Sequence, residues 1–414
     1  MSTSSSRTPP ASPTGVERTG QSTRWVVLGV ALAIQTATSV VAAALPVLLP
    51  LVKAEFHLTF AEAGVVANFP FVGSLLTIAL AGWAVDALGD RLVLVFGGVL
   101  TGVAALACAL APAFAVILGV LVIMGIGIGT GTPAGSLAVR NAFPLRLRGM
   151  VMGMRQTGIP LGSFLAALIL PSIALSAGWR GALAAAGAAS IVVAIAGLGI
   201  YRSGPRARTA VGDSGSLLNV LTRDITVAAT SGMLMVAGQM CLLTYLVVYL
   251  IHERGLTITT AAFYLALAQL AGAFGRVLWG VVSDRLLSGS RRRALLLAAG
   301  TGALGSLALA ILPSGFPFPV LVAAILVCAC GAVGWNGVQI SFLSELARPG
   351  SEGRAVGLGQ TIQQPGILVG PFLFGLIVDA TGSFRPAWLL LAGFLGLAML
   401  IMSAAQEASQ PRTA

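Results

Sequence analysis

The chain has 414 residues, 57% of them hydrophobic and only 9% charged, with a formal net charge of +11. Soluble domains carry about 25% charged residues, so that class is excluded. The positive charge lies in short turns between long apolar runs, which reads as orientation in a membrane and not as a nucleic-acid surface.

Residues 1–24 are rich in Ser, Thr and Pro, contain Arg7, Arg18 and Arg24, and read as a disordered cytoplasmic tail. No apolar stretch precedes Trp25, so no cleavable signal peptide is expected. Twelve apolar spans follow, at 25–52, 59–85, 91–112, 114–139, 149–172, 180–201, 225–250, 258–283, 293–313, 317–344, 355–379 and 387–405. Each is long enough to cross a bilayer as a helix, whereas a barrel would show short alternating segments. The polar stretch 202–224 divides the spans six and six. That gives an N-terminal bundle over 25–201, a cytoplasmic linker over 202–224, a C-terminal bundle over 225–405 and a short tail over 406–414. Eighteen basic residues fall in the tails and even-to-odd loops and four (Lys53, Arg180, Arg254, Arg385) on the opposite face. Arginine bias of this size places both termini in the cytoplasm, in a multi-pass inner membrane protein.

The chain repeats itself. Gly82-Trp-Ala-Val-Asp86, with Gly89 and Arg91 behind it, ends span 2; Gly280-Val-Val-Ser-Asp284-Arg285 ends span 8. Gly158 and Gly162 in span 5 likewise overlay Gly366 and Gly370 in span 11, which sets Gln156 on Gln364. The expected fold is therefore all-α, twelve transmembrane helices in two pseudo-symmetric six-helix bundles, a plan that places a substrate between halves near the bilayer midplane.

The Gly-x-x-x-Asp loop, present twice with the same sidedness, resembles the signature loop of the major facilitator superfamily, and the resemblance covers about residues 25–405. It implies alternating access around a central site without ATP hydrolysis. It also implies a cytoplasmic gate formed by Gly82, Asp86, Gly89 and Arg91 with Gly280, Asp284 and Arg285. Ala87 stands where a basic residue usually follows the Asp, so the first copy lacks one partner.

Two charges lie inside spans, where a charge costs about 2.5–3.5 kcal/mol even on lenient scales. Arg276 precedes Asp284 by about 12 Å of helix and shares a stripe with Gln269, Gly272 and Gly280. Arg155 shares a stripe with Gly158 and Gly162, and the repeat sets Gln363 in its place in span 11. A guanidinium holds a carboxylate through two parallel N–H···O bonds, which suits a small organic anion. The competing reading is snorkelling to the cytoplasmic interface. The string Gly275-Arg-x-x-x-Gly-x-x-Ser-Asp-Arg resembles span 8 of monocarboxylate- and oxalate/formate-type carriers. Gly153-Met-Arg-Gln-Thr-Gly and Gly334-Trp-Asn-Gly resemble cyanate-type carriers.

Other candidates to line the path are Gln35, Asn68, Gln156, Gln239, Tyr245, Gln269, Trp335, Asn336 and Gln339, although such amides more often bridge helices. No Asp or Glu lies mid-span, His57 and His252 are in outer loops, and Cys108, Cys241, Cys328 and Cys330 show no metal spacing. No cofactor, metal or catalytic residue is expected. The reading is a secondary transporter of a small organic solute, an anion such as a carboxylate being favoured, acting as a monomer in the lipid bilayer, with a co-transported proton left open. The alternatives are a multidrug or metabolite efflux pump on the same fold and a non-transporting, substrate-sensing receptor.

Overall fold

The computed structural model describes residues 15–143, 145–200, 221–313, 317–348 and 351–406, except for the side chains of 15–23, 78–83, 86, 132, 140, 141, 145, 146, 148 and 149. Most of the 202–224 linker and the 407–414 tail fall outside the described residues. Among the described residues, eleven helices are long and apolar enough to cross a membrane. The longest, Met150–Ile200, is about twice what a bilayer needs. At Gly178 its backbone leaves the helix (φ 71°, ψ 171°), a conformation that suits glycine, and two spans join there. Twelve spans result, as the apolar pattern predicts.

Three spans are broken within the membrane. Span 2 divides at Phe69, because Pro70 has no N–H to continue the ladder and opens a new helix, Pro70–Leu88. Span 5 divides at Thr157, between Leu145–Gln156 and Gly158. Span 10 divides at Trp335, between Phe318–Gly334 and Asn336–Glu345. The first helix begins at Gly15, inside the expected tail and two residues after Pro13.

Helices approach closely through small residues, the usual means where lipid removes the hydrophobic driving force between helices. A Cβ at Gly162 would come within 2.5 Å of Ser39 on span 1, and one at Gly370 within 2.8 Å of Ala237 on span 7. The sequence repeat is thus a repeat of packing. Cys328 belongs to the same kind of contact, with its Cβ 2.7 Å from where Gly305 would carry one.

Because successive spans alternate in direction, one end of the molecule carries Glu55, Gly178, Arg254 and Asp379, and the other carries Gly89, Asp284 and Glu345. The buried apolar residues form two clusters. The larger runs from the Glu55 end of the N-terminal bundle, including Val41–Val52 and Ile117–Met124, through the whole C-terminal bundle. The smaller (Val27, Ile34, Leu94, Val139, Val151 and neighbours) stays within the N-terminal bundle toward the Asp284 end. Among the described residues, the halves therefore share one core at the Glu55 end.

Candidate functional site

Span 8 turns three faces to its surroundings. Gln269, Gly272, Gly275 and Trp279 are buried; Gly272 and Gly275 sit against Val333 and Cys330 of span 10, and Trp279 donates to Cys330 O at 2.9 Å. Phe274 and Val277 are exposed (64% and 66%), as suits lipid. Arg276 falls between, half-buried. Its guanidinium has no hydrogen bond or ion pair with the described residues, and its Nε is buried without an acceptor. Snorkelling to Asp284 is not what the structure shows. Asp284 accepts from Arg291, which also reaches Glu345 at 2.9 Å and Ser283 at 3.0 Å. Gln269 is likewise without a hydrogen bond among the described residues.

Arg155 is placed differently. It is fully buried and donates to Gln35 of span 1 at 3.1 Å, Ser136 of span 4 at 3.0 Å and Gln156 beside it at 3.2 Å. Only its Nε lacks a partner. The same junction recurs in the other half. There Gln363 of span 11 lies against Gly232 of span 7, whose Cβ would come within 2.5 Å of Gln363 Nε2 and 2.8 Å of Gln339 Nε2 of span 10. Gln339 donates to Ala228 O at 2.8 Å, leaving Gln339 Oε1, Gln363 Nε2 and Gln364 Oε1 buried without partners. Spans 1, 4 and 5 thus meet around an arginine, and spans 7, 10 and 11 around amides.

The remaining candidates divide. Asn336 donates to Gln239 at 3.0 Å, tying span 10 to span 7. Trp335, placed along the path by the sequence, is fully buried (1% exposed), its indole N–H spent on Ala332 O at 3.0 Å. Asn68 and Tyr245 join the halves: Asn68 donates to Thr244 at 2.9 Å, and the Tyr245 hydroxyl lies 2.5 Å from Phe60 O and 2.9 Å from Pro371 O.

Of the gate residues, the side chain of Asp86, and Gly82 with it, lie outside the described residues. Gly89 caps the turn at φ 89°, a value that favours glycine. Arg91 donates to Leu198 O within its own bundle. Asp284 and Arg285 fall on a π-helical turn, Val282–Leu286, which widens the end of span 8. Gly280 faces open space, and Arg285 is exposed. Asp379, near the end of span 11 and not among the residues singled out from the sequence, accepts with its two carboxylate oxygens from Phe60 N and Ala61 N across the halves, at 2.8 Å each. The available signal was an acidic residue unmatched in its repeat.

Residues 27–371 match the family model described as Major Facilitator Superfamily. An uncharacterized MFS-type transporter of Mycobacterium tuberculosis is 30% identical over 384 residues, covering 91% of this chain and 84% of that protein. The probable sulfoacetate transporter of Cupriavidus necator is 26% identical over 406 residues, 91% of this chain and 93% of its own length. A bacterial homolog of the human lysosomal transporter Spinster, solved in an inward-facing and occupied conformation, superposes with a TM-score of 0.80 at 19% identity, covering 92% of this chain and 96% of that one.

Proposed function

The chain belongs to the major facilitator superfamily, and from that premise we propose that it is a secondary transporter of a small organic anion, worked by alternating access, with Arg276 as the anion's anchor. The observation that carries this reading is the guanidinium of Arg276, inside a span and without an acceptor among the described residues. A charge held at membrane depth is functional by default, and a carboxylate or sulfonate supplies the paired oxygens that a guanidinium lacks there. Gln269 lies seven residues toward the Glu55 end, about 10 Å along the helix. It offers a neutral polar contact to the far end of a short solute. Sulfoacetate, named for one relative, is an anion of this size and kind.

The arginine bias orients the carrier in an inner membrane with both termini cytoplasmic, so the Glu55 end faces outward and the shared core closes the outer entrance. Moving one charge against 100 mV costs about 2.3 kcal/mol, so an anion entering an inside-negative cell needs a co-transported proton or exchange for another anion. The gate residues Asp284 and Arg285, with Asp86 and Arg91, would meet across the bundles when the inner side closes. We propose that a monomer suffices.

Thermal stability of the purified protein against small carboxylates, sulfonates, amines and lipophilic cations tests the reading. A ligand at 100 times its dissociation constant adds about 2.7 kcal/mol of apparent stability. Anions should supply it to the wild type and not to Arg276→Gln. Stabilisation by amines or lipophilic cations alone would favour the efflux pump. Anion binding without uptake in liposomes would favour the receptor.

A further inference from the structure

The seal at the Glu55 end is organised around one carboxylate. Span 2 starts at Phe60, and its first-turn N–H groups have no partner within the helix and carry the positive end of its dipole. Its own cap meets part of that need: Thr59 Oγ1 accepts from Glu62 N at 3.2 Å, and Glu62 accepts from Thr59 N at 2.9 Å. The N–H groups of Phe60 and Ala61 are met by the other bundle. Asp379, near the end of span 11, gives one oxygen to each at 2.8 Å.

One turn deeper, span 2 and span 11 touch through glycines. A Cβ at Gly375 would come within 2.5 Å of Ala61 N, and one at Gly64 within 2.8 Å of Pro371 O. The Tyr245 hydroxyl fills the space between, stacked ring on ring with Phe374 at 4.7 Å. A further turn down, Asn68 donates to Thr244 of span 7, which is only 1% exposed. The helices run antiparallel, so Asp379, Gly375 and Pro371 pass Phe60, Gly64 and Asn68 at steps of four residues.

We propose that Asp379 is the latch of the outer entrance: its carboxylate caps the first turn of span 2 across the bundle interface, and it must let go before spans 2 and 11 can part. This rests on the alternating-access reading. The carboxylate itself is solvent-exposed, so its replacement leaves the packing of each bundle untouched while removing the charge and one acceptor from the helix terminus. Losing a cap of this kind shifts an equilibrium about fivefold.

The test reads the seal directly. Thr244→Cys is introduced after the four native cysteines are replaced, and its reaction with a water-soluble maleimide is timed in purified protein. Asp379→Asn should speed labelling about fivefold, and Asp379→Glu should recover part of the difference. Gly375→Val, which forces span 2 from span 11 sterically, is the reference for an opened seal. Rapid labelling in Gly375→Val with an unchanged rate in Asp379→Asn would overturn the latch and leave alternating access standing. No acceleration in either variant would overturn both, because the seal would then not be a moving part.

Discussion

Arg155 and Arg276 are both guanidiniums inside spans, yet one is enclosed among acceptors and the other has none among the described residues. Arg155 is sealed where spans 1, 4 and 5 meet, with three neutral oxygens in reach. Arg276 is half-buried, beside a lipid-facing edge of span 8, with its nearest acid taken by Arg291. The repeat makes the contrast sharper. Arg155 has Gln363 as its counterpart and Arg276 has Ile78, so each half carries one charge at a place where the other is neutral. The two bundles share one packing plan, and the unmatched polar groups are where they differ. A charge whose partners are all provided by its own bundle holds that bundle together, and a charge left without partners is free to hold something else.

The comparison makes an unusual demand on stability, and the largest effect falls at Arg155. Arg155→Gln removes hydrogen bonds from a charged donor, worth about 1.5–3 kcal/mol each, and strands Gln35 and Ser136. The melting temperature without ligand should fall, while anions still stabilise the variant. Arg276→Gln should do the opposite, raising stability in the absence of ligand by about 1 kcal/mol, because an unpartnered, half-buried charge within a span is replaced by a neutral amide. Differential scanning fluorimetry of the two variants side by side checks the signs. If both fall alike, Arg276 has structural partners and the contrast between the two sites is lost.

Most of the scaffold is legible in the sequence because the bilayer imposes one period and one length on every span. The Gly158/Gly162 and Gly366/Gly370 pairs can be read as packing sites for the same reason. What the sequence does not reveal is direction within the bundle. A stripe of Arg155, Gly158 and Gly162 fixes a helix face, but a face toward span 1 and a face toward the central path have the same spacing. Trp335 illustrates the limit as well: its ring is placed by the break in span 10, and its N–H is used up three residues back. The Asp379 contact spans 319 positions along the chain and uses backbone N–H groups, which every residue but proline owns. The repeat can mark Asp379 as an acid without a counterpart, but not which N–H groups it meets.

The smallest effect sharpens the same contrast from the C-terminal side. Asn336 and Gln239 are both polar and both in spans, and unlike Arg276 they already hold each other at 3.0 Å. Asn336 also donates to Val333 O at 3.3 Å, so its amide is spent inside the bundle. Interhelical bonds of this kind contribute about 0.6 kcal/mol on average, because the alternative in a membrane is rarely a bare group. Asn336→Ala should therefore lower the melting temperature only slightly, by less than half the change at Arg155. If the pair serves the bundle alone, the anion affinity measured by stabilisation stays within about twofold of wild type. A larger loss of affinity with the same small loss of stability would move Asn336 from the scaffold to the solute path, and would place a second polar contact opposite Arg276.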